Sequence, residues 1–405
     1  MVEAIALPDG LKSLAGRLVD LDSHEMMPAQ TWVDFFGPEV KELADAVIRH
    51  SLPWEQDNNS HNVPDYRGDV MEISDQLANI KGPVAPGAFD LTRRTDVMDA
   101  MGVDRQLMYP TGLGGWSMFL MMVDKFDPGC LGSVQTDRAA KAAKWLKRYN
   151  DWFLTTTRIS DRIRPVPTLM GATVEELMTE THRMLDAGVR AVMLPASMAP
   201  GGRSPAHPDL EPFWALLEDA RCVATLHLGS EGKMLEGLKV WRDAPVFDGY
   251  RAVGEFNSDP WYTSMVHVPA QNFLQTMCIG GVFVRHPELR VGAIELGAYW
   301  VGPMMRNLDM WYVNLGKFGA PSKRLPEAPS TYLKRNVRYS VFPWEDLASY
   351  IDQFGLQDVI CFASDYPHLE GGRDMITDMY RKIAPYGPEM LEKFFVTNGM
   401  FLFPE

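Results

Sequence analysis

The 405-residue chain is 46% hydrophobic and 23% charged, which excludes a disordered or fibrous protein. Thirty-nine Lys and Arg against 53 Asp and Glu give a net charge of −14, arguing against non-specific binding to nucleic acid or an anionic membrane. Four scattered cysteines (Cys130, Cys222, Cys278, Cys361), no signal-peptide run and no 18-residue apolar stretch together point to a soluble cytoplasmic enzyme without a thiolate zinc site.

Apolar, β-branched runs that end in polar or Gly/Pro-rich loops recur along the chain. In order they are Arg17–His24, Arg105–Pro110, Ile163–Leu169, Arg190–Pro195, Cys222–Leu228, Val291–Leu296, Val337–Phe342 and Val359–Asp365. Helical patterns separate them. Thr173-Val-Glu-Glu176 reads as a capping box, with Gly188 as the helix stop, and Asp209-Leu-Glu-Pro212 opens the next helix with an acidic cap and an early proline. Nearly all-apolar strands alternating with amphipathic helices imply a parallel sheet covered on both faces. Eight such units predict an α/β fold, a closed (β/α)8 TIM-like barrel over residues 1–405, with no linker to divide it. The longest gaps predict an insertion after strand one, residues 26–89, and an extended segment between strands five and six. Residues 26–89 are either a lid over the active site or a structural or dimer-forming insertion.

Reacting groups in such barrels lie at the C-terminal ends of the strands. Strand one ends Asp22-Ser-His24, an i, i+2 pair that points both side chains to one face. Strand five carries His227, strand six Glu295, and strand eight ends at Asp365. A lone polar intrusion in an apolar run is usually a hydrogen-bonded core residue. Five on four strand ends are better explained by a converging metal site. His368, three residues after Asp365, either faces substrate or orients Asp365, or else stabilises the turn. His267 lines the pocket or packs in the core, and His286 reads as a helix-end residue. His50, His61, His182 and His207 carry surface or packing roles by default. The stretch MYPTGLGGWSMFLMMV after strand two reads as an apolar pocket wall. Gly114-Gly115 and Gly371-Gly372 lack a nucleotide-binding context and are assigned to loop geometry.

With these residues the chain resembles the amidohydrolase superfamily. The motifs are Asp22-x-His24, GVFVRHPELRVGAIELGAYWVGPM, SVFPWEDL, FASDYPHLEG and FFVTNGMFLF, with MDAMGVDRQLMYPTG and YNDWF in support. They look like the amidohydrolase-related (family 2) branch that contains aminocarboxymuconate-semialdehyde decarboxylase and γ-resorcylate decarboxylase. The resemblance implies a distorted barrel, one or two divalent metals per chain, a homodimer, and Asp22, His24, His227 and Asp365 as ligands. The chain departs from the pattern twice: Asp22 replaces the first His of the usual pair, and Glu295 stands where many relatives have a sixth-strand His. Both add carboxylate oxygen, which shifts the expected ion from Zn toward Mn or Fe. Asp365, Glu295 and His368 are the candidate acid–base groups. The reaction expected is non-oxidative decarboxylation of an aromatic or enoic carboxylic acid. The alternative is hydrolysis of an ester, lactone, thioester, amide or activated C–C bond at the same site. A third reading, a non-catalytic scaffold, sits poorly with five ligand-type residues on four strands. An arginine is expected to clamp the substrate anion, with Arg67, Arg93, Arg94 and Arg373 as candidates.

Overall fold

The computed structural model describes residues 5–74, 77–122, 134, 136–236, 239–248, 252–253, 256–257, 260–315 and 325–404. Cys130 lies outside the described residues; Cys222, Cys278 and Cys361 are free and buried. Each of the eight apolar runs contains a strand. These are β1 (Leu18–Asp20), β2 (Val103–Met108), β3 (Ile163–Pro165), β4 (Ala191–Met193), β5 (Val223–His227), β6 (Val291–Ile294), β7 (Val337–Ser340) and β8 (Ile360–Cys361). All pairings among them are parallel: β1, β2 and β3 form one ladder, and β4, β5, β6, β7 and β8 another. Two seams close the ring. The β3–β4 seam is made by the Thr168–Met193 bridge and by Leu169 N–H donating to Met193 O at 2.8 Å. The β8–β1 seam is made by Asp365 N–H to Asp22 O and His24 N–H to Tyr366 O, both 2.8 Å. The result is the expected (β/α)8 barrel.

Local signals account for the helices. In helix Val174–Asp186 the Thr173 hydroxyl accepts from Glu176 N–H at 3.2 Å, but Glu176 reaches back to Ala172 N–H rather than Thr173. Gly188 follows with φ +95°, a conformation that suits a residue without a Cβ. The proposed Asp209 cap is corrected. The His207 ring accepts from Asp209 N–H at 3.1 Å, a 3-10 turn covers Pro208–Leu210, and helix Glu211–Asp219 follows. Gly114-Gly115 is also corrected: it lies within helix Gly112–Met122, where a Cβ on Gly114 would stand 2.7 Å from the Tyr149 ring.

Residues 26–89 leave and rejoin the barrel side by side, with Met26 N–H donating to Ala88 O at 2.8 Å. Helix Lys41–His50 is their longest regular element. The far part docks on the turn after β8: Gly82 N–H donates to Pro367 O at 2.9 Å, Leu369 N–H to Asn59 Oδ1 at 2.7 Å, and Tyr366 O–H to Pro86 O at 2.7 Å. The segment between β5 and β6 contains a short antiparallel pairing of Ala252–Val253 with Phe256–Asn257, then helix Val268–Ile279. No helix among the described residues is long and apolar enough to cross a membrane.

Candidate metal centre

The barrel mouth gathers all six predicted site residues, each of them buried: Asp22, His24, His227, Glu295, Asp365 and His368. His24 Nε2 lies 3.1 Å from Asp22 Oδ1, 3.5 Å from Asp365 Oδ1 and 4.0 Å from Glu295 Oε2. His227 Nε2 lies 3.2 Å from Asp22 Oδ1 and 3.4 Å from Glu295 Oε2. Ligand atoms of Asp22, His24, His227 and Glu295 fall within 4.8 Å of one another, as do those of His24, Glu295, Asp365 and His368. The two groups share His24 and Glu295.

The scaffold aims these groups. Asp20 pins the end of β8 against β1, accepting from Ser364 N–H at 2.8 Å and Ser364 O–H at 2.6 Å, while Gln106 Nε2 donates to it at 2.8 Å. Glu295 and Asp365 sit just past their strands with φ +56° and +53°, a region that non-glycine residues seldom occupy. This left-handed step takes both side chains out of the strand alternation and turns them into the mouth. Such strain persists where the surroundings over-determine it. Here Ser340 Oγ accepts Glu295 N–H at 2.7 Å and Asp22 O accepts Asp365 N–H. Glu345, from the SVFPWEDL motif, holds the loop beyond Glu295 by accepting from Ala298 N–H at 2.8 Å and Tyr299 N–H at 3.1 Å.

The donor set fits a divalent cation. His227 Nδ1–H donates to Leu228 O at 2.9 Å, which leaves the Nε2 lone pair facing the carboxylates, as a ligand requires. His24 Nδ1 meets Thr111 Oγ1 at 2.9 Å, Thr111 Oγ1 meets His368 Nε2 at 3.4 Å, and His368 Nδ1 meets Asp365 Oδ1 at 2.9 Å. With the His24 Nε2 lone pair given to a cation, the protons run one way along this chain. His24 donates to Thr111, Thr111 to His368, and His368 to Asp365. The reverse run would put a proton on His24 Nε2, against Asp22. Asp365 Oδ2 has no hydrogen-bond partner among the described residues.

Electrostatics divide the acids. Burial works to raise the Asp22 carboxyl, but positive charge on the His227 and His24 rings, a role that a bound cation would take over, holds Asp22 below the usual carboxylate range. Burial pushes Asp365 up to about 8, with His368 opposing and the Asp22 charge adding to the rise. The two acids are thus pushed in opposite directions, the separation that acid–base sites use.

Sequence reading missed Thr111 as a connector, although it belongs to the stretch taken for an apolar wall. From that stretch Tyr109 also packs against His227, with ring centroids 4.2 Å apart and the planes tilted by 36°. Thr111→Val keeps the volume and removes the hydroxyl that both histidines share. Its turnover is expected to fall about 10- to 100-fold, the range for a partner behind a ligand, with Thr111→Ser restoring most of it. Steady-state kinetics with metal analysis on both variants checks this.

The other candidates have these places in the fold. His368 Nδ1 lies 2.9 Å from Asp365 Oδ1, within the second group that could hold a cation. His267 packs beside Trp300, accepts from or donates to Tyr299 Oη at 2.9 Å, and is pulled down to about 4 by burial. His286 lies between Glu211 (3.0 Å) and Glu218 (3.2 Å). Arg94 is spent on main-chain oxygens, Gly87 O at 2.9 Å and His24 O, and Arg93 on Val70 O and Met71 O. Arg67 and Arg373 are exposed.

A closed parallel barrel with its buried polar groups at the strand ends defines the class, a (β/α)8 enzyme. The family model described as amidohydrolase matches residues 121–404, and the chain belongs to the amidohydrolase family, as its motifs indicated. Asp22, His24 and the insertion lie outside the matched stretch. No curated protein matches the chain. Among solved structures, an amidohydrolase from Mycobacterium avium subsp. paratuberculosis K-10 is 19% identical with a TM-score of 0.64, over 96% of this chain and 99% of that one. The 5-carboxyvanillate decarboxylase of Sphingomonas paucimobilis is 18% identical with a TM-score of 0.58, over 96% and 98%. The 5-carboxyvanillate decarboxylase of Novosphingobium aromaticivorans, with bound manganese, is 17% identical with a TM-score of 0.57, over 100% of both chains. At such identities the likeness establishes the shared fold.

Proposed function

We propose that the protein is a metal-dependent, non-oxidative decarboxylase of an aromatic or enoic carboxylic acid. The observation that carries this reading is Asp365, a buried carboxyl raised to about 8 whose Oδ1 is taken by His368 while Oδ2 is unpartnered. Such a group keeps a proton at neutral pH and offers it from Oδ2. That suits delivery to carbon better than removal of a proton from water. The aromatic-acid decarboxylases among the similar structures support the same class.

Asp22, His24, His227 and Glu295 would hold the cation, with the Asp365 carboxyl beside it, and Mn²⁺ fits a set in which carboxylates match imidazoles. When bound, it supplies Lewis-acid polarisation of the substrate's carboxylate and a neighbouring oxygen. Asp365 gives its proton to the carbon that bears the carboxylate. The bond to the carboxyl carbon then breaks, its electron pair restores the conjugated system, and CO2 leaves. Asp365 regains a proton from solvent, with His368 holding its orientation throughout. Residues 26–89 cover the mouth, since they dock on the turn that carries Asp365 and His368. The hydrolytic alternative uses the same residues, with Asp365 as base.

The test is product analysis of Mn²⁺-loaded protein with a panel of hydroxybenzoates and their esters in ¹⁸O-labelled water. Release of CO2 with no label in the organic product is expected. Ester cleavage with label in the acid, and no CO2, would establish the hydrolase instead.

A further inference from the structure

Residues 26–89 bury a cationic side chain beside the turn after β8. Lys81 is only 3% exposed, and its Nζ has no acceptor within hydrogen-bond reach among the described residues. An ammonium has three donors and no lone pair, so an unpaired one is among the least favourable groups to bury. The charges that act on it are Asp365 and Glu370, which attract it, and Arg373, which repels it, all on the turn after β8. None of these acids closes to a hydrogen bond.

The backbone at this position is pinned on both sides. Trp54 Nε1–H donates to Lys81 O at 3.0 Å, and Gly82 N–H donates to Pro367 O at 2.9 Å. Position 82 has φ +75°, and a Cβ there would lie 1.7 Å from Asn58 O, so glycine is required beside Lys81. The chain therefore buries a donor-only group beside the turn that carries Asp365, whose Oδ2 also has no partner among the described residues. An anion that accepts from the ammonium and lies against the Asp365 carboxyl would satisfy both groups.

We infer that Lys81 is the anion-binding residue of this site and holds the carboxylate of the substrate beside Asp365. This rests on the decarboxylase reading for the identity of the anion, and it narrows the substrate to a free acid rather than a neutral ester or amide. It also replaces the expected arginine with a lysine that only tertiary packing brings into place. A cation on the departing carboxylate favours the ground state at least as much as the transition state, because the carboxylate charge is lost as CO2 forms, so its removal appears as a raised KM rather than a lowered kcat.

The test uses Lys81→Met, which keeps the aliphatic stem, and Lys81→Gln as a second variant, both loaded with Mn²⁺. The probes are 2,6-dihydroxybenzoate, benzoate and the neutral 2,6-dihydroxybenzamide, followed by calorimetry. Both variants are expected to bind the carboxylates about 10- to 100-fold more weakly, the loss of one charge-assisted hydrogen bond. The benzamide should bind all three proteins alike, metal content should be unchanged, and neither variant should melt below wild type. Carboxylate affinity equal to wild type in a folded variant overturns the assignment, as does a wild-type protein that binds neither carboxylate. Lys81-dependent carboxylate binding without CO2 release would remove the decarboxylase reading and leave this one. CO2 release with unchanged KM in both variants would do the opposite.

Discussion

Asp365→Asn is expected to keep the fold and the bound metal while turnover falls by about 10²–10⁴-fold, the contribution of a positioned general acid or base. The substitution is conservative in three respects. Asn tolerates the left-handed φ of +53° better than other non-glycine residues. Its side-chain oxygen can still accept from His368 Nδ1, now at 2.9 Å from Oδ1. Its backbone N–H can still donate to Asp22 O. What it cannot do is release a proton near neutral pH. Binding of 2,6-dihydroxybenzoate should therefore persist, and calorimetry beside single-turnover kinetics separates the two effects. Near-wild-type turnover with metal bound would move the proton-transfer role to Glu295 or His368.

Period and composition made the barrel readable, because every strand is a short apolar run ending in a polar loop. The strand ends were harder. Arg17–His24 and Val359–Asp365 were expected as full strands, but the ladders stop at Asp20 and Cys361. The residues beyond them leave the alternation so that Asp22, His24 and Asp365 can converge. Charge placement in an apolar run revealed which residues converge, whereas the left-handed steps at Glu295 and Asp365 have no signature in residue type. Thr111 and Lys81 were illegible for another reason. A threonine in an apolar wall and a lysine in a stretch with little regular structure look ordinary until packing buries them. The arginines show the converse. Arg94 looked free for a substrate, yet its Nε and one terminal nitrogen serve Gly87 O and His24 O, the second of which steadies a site residue from behind.

His227→Ala is expected to abolish stoichiometric metal binding while leaving the barrel folded. His227 is the last residue of β5, and its Nε2 stands within 3.4 Å of both Asp22 and Glu295. Among the described residues, His24 is the other imidazole placed against those carboxylates. Losing one of two nitrogen donors from a small donor set removes a large share of the binding free energy. The fold draws on different groups. The side chains of β5 and β6 are buried along their whole length, and the neighbouring seams are main-chain hydrogen bonds that do not involve the imidazole. Truncation also strips Asp22 of the larger of the two imidazole influences that hold its carboxyl low, so the remaining acids crowd one another in the metal-free protein. Elemental analysis after dialysis should show well under one metal per chain, with circular dichroism matching wild type. Metal retained at full occupancy would place His227 outside the coordination sphere and leave His24 with the carboxylates of Asp22, Glu295 and Asp365 as the binding set.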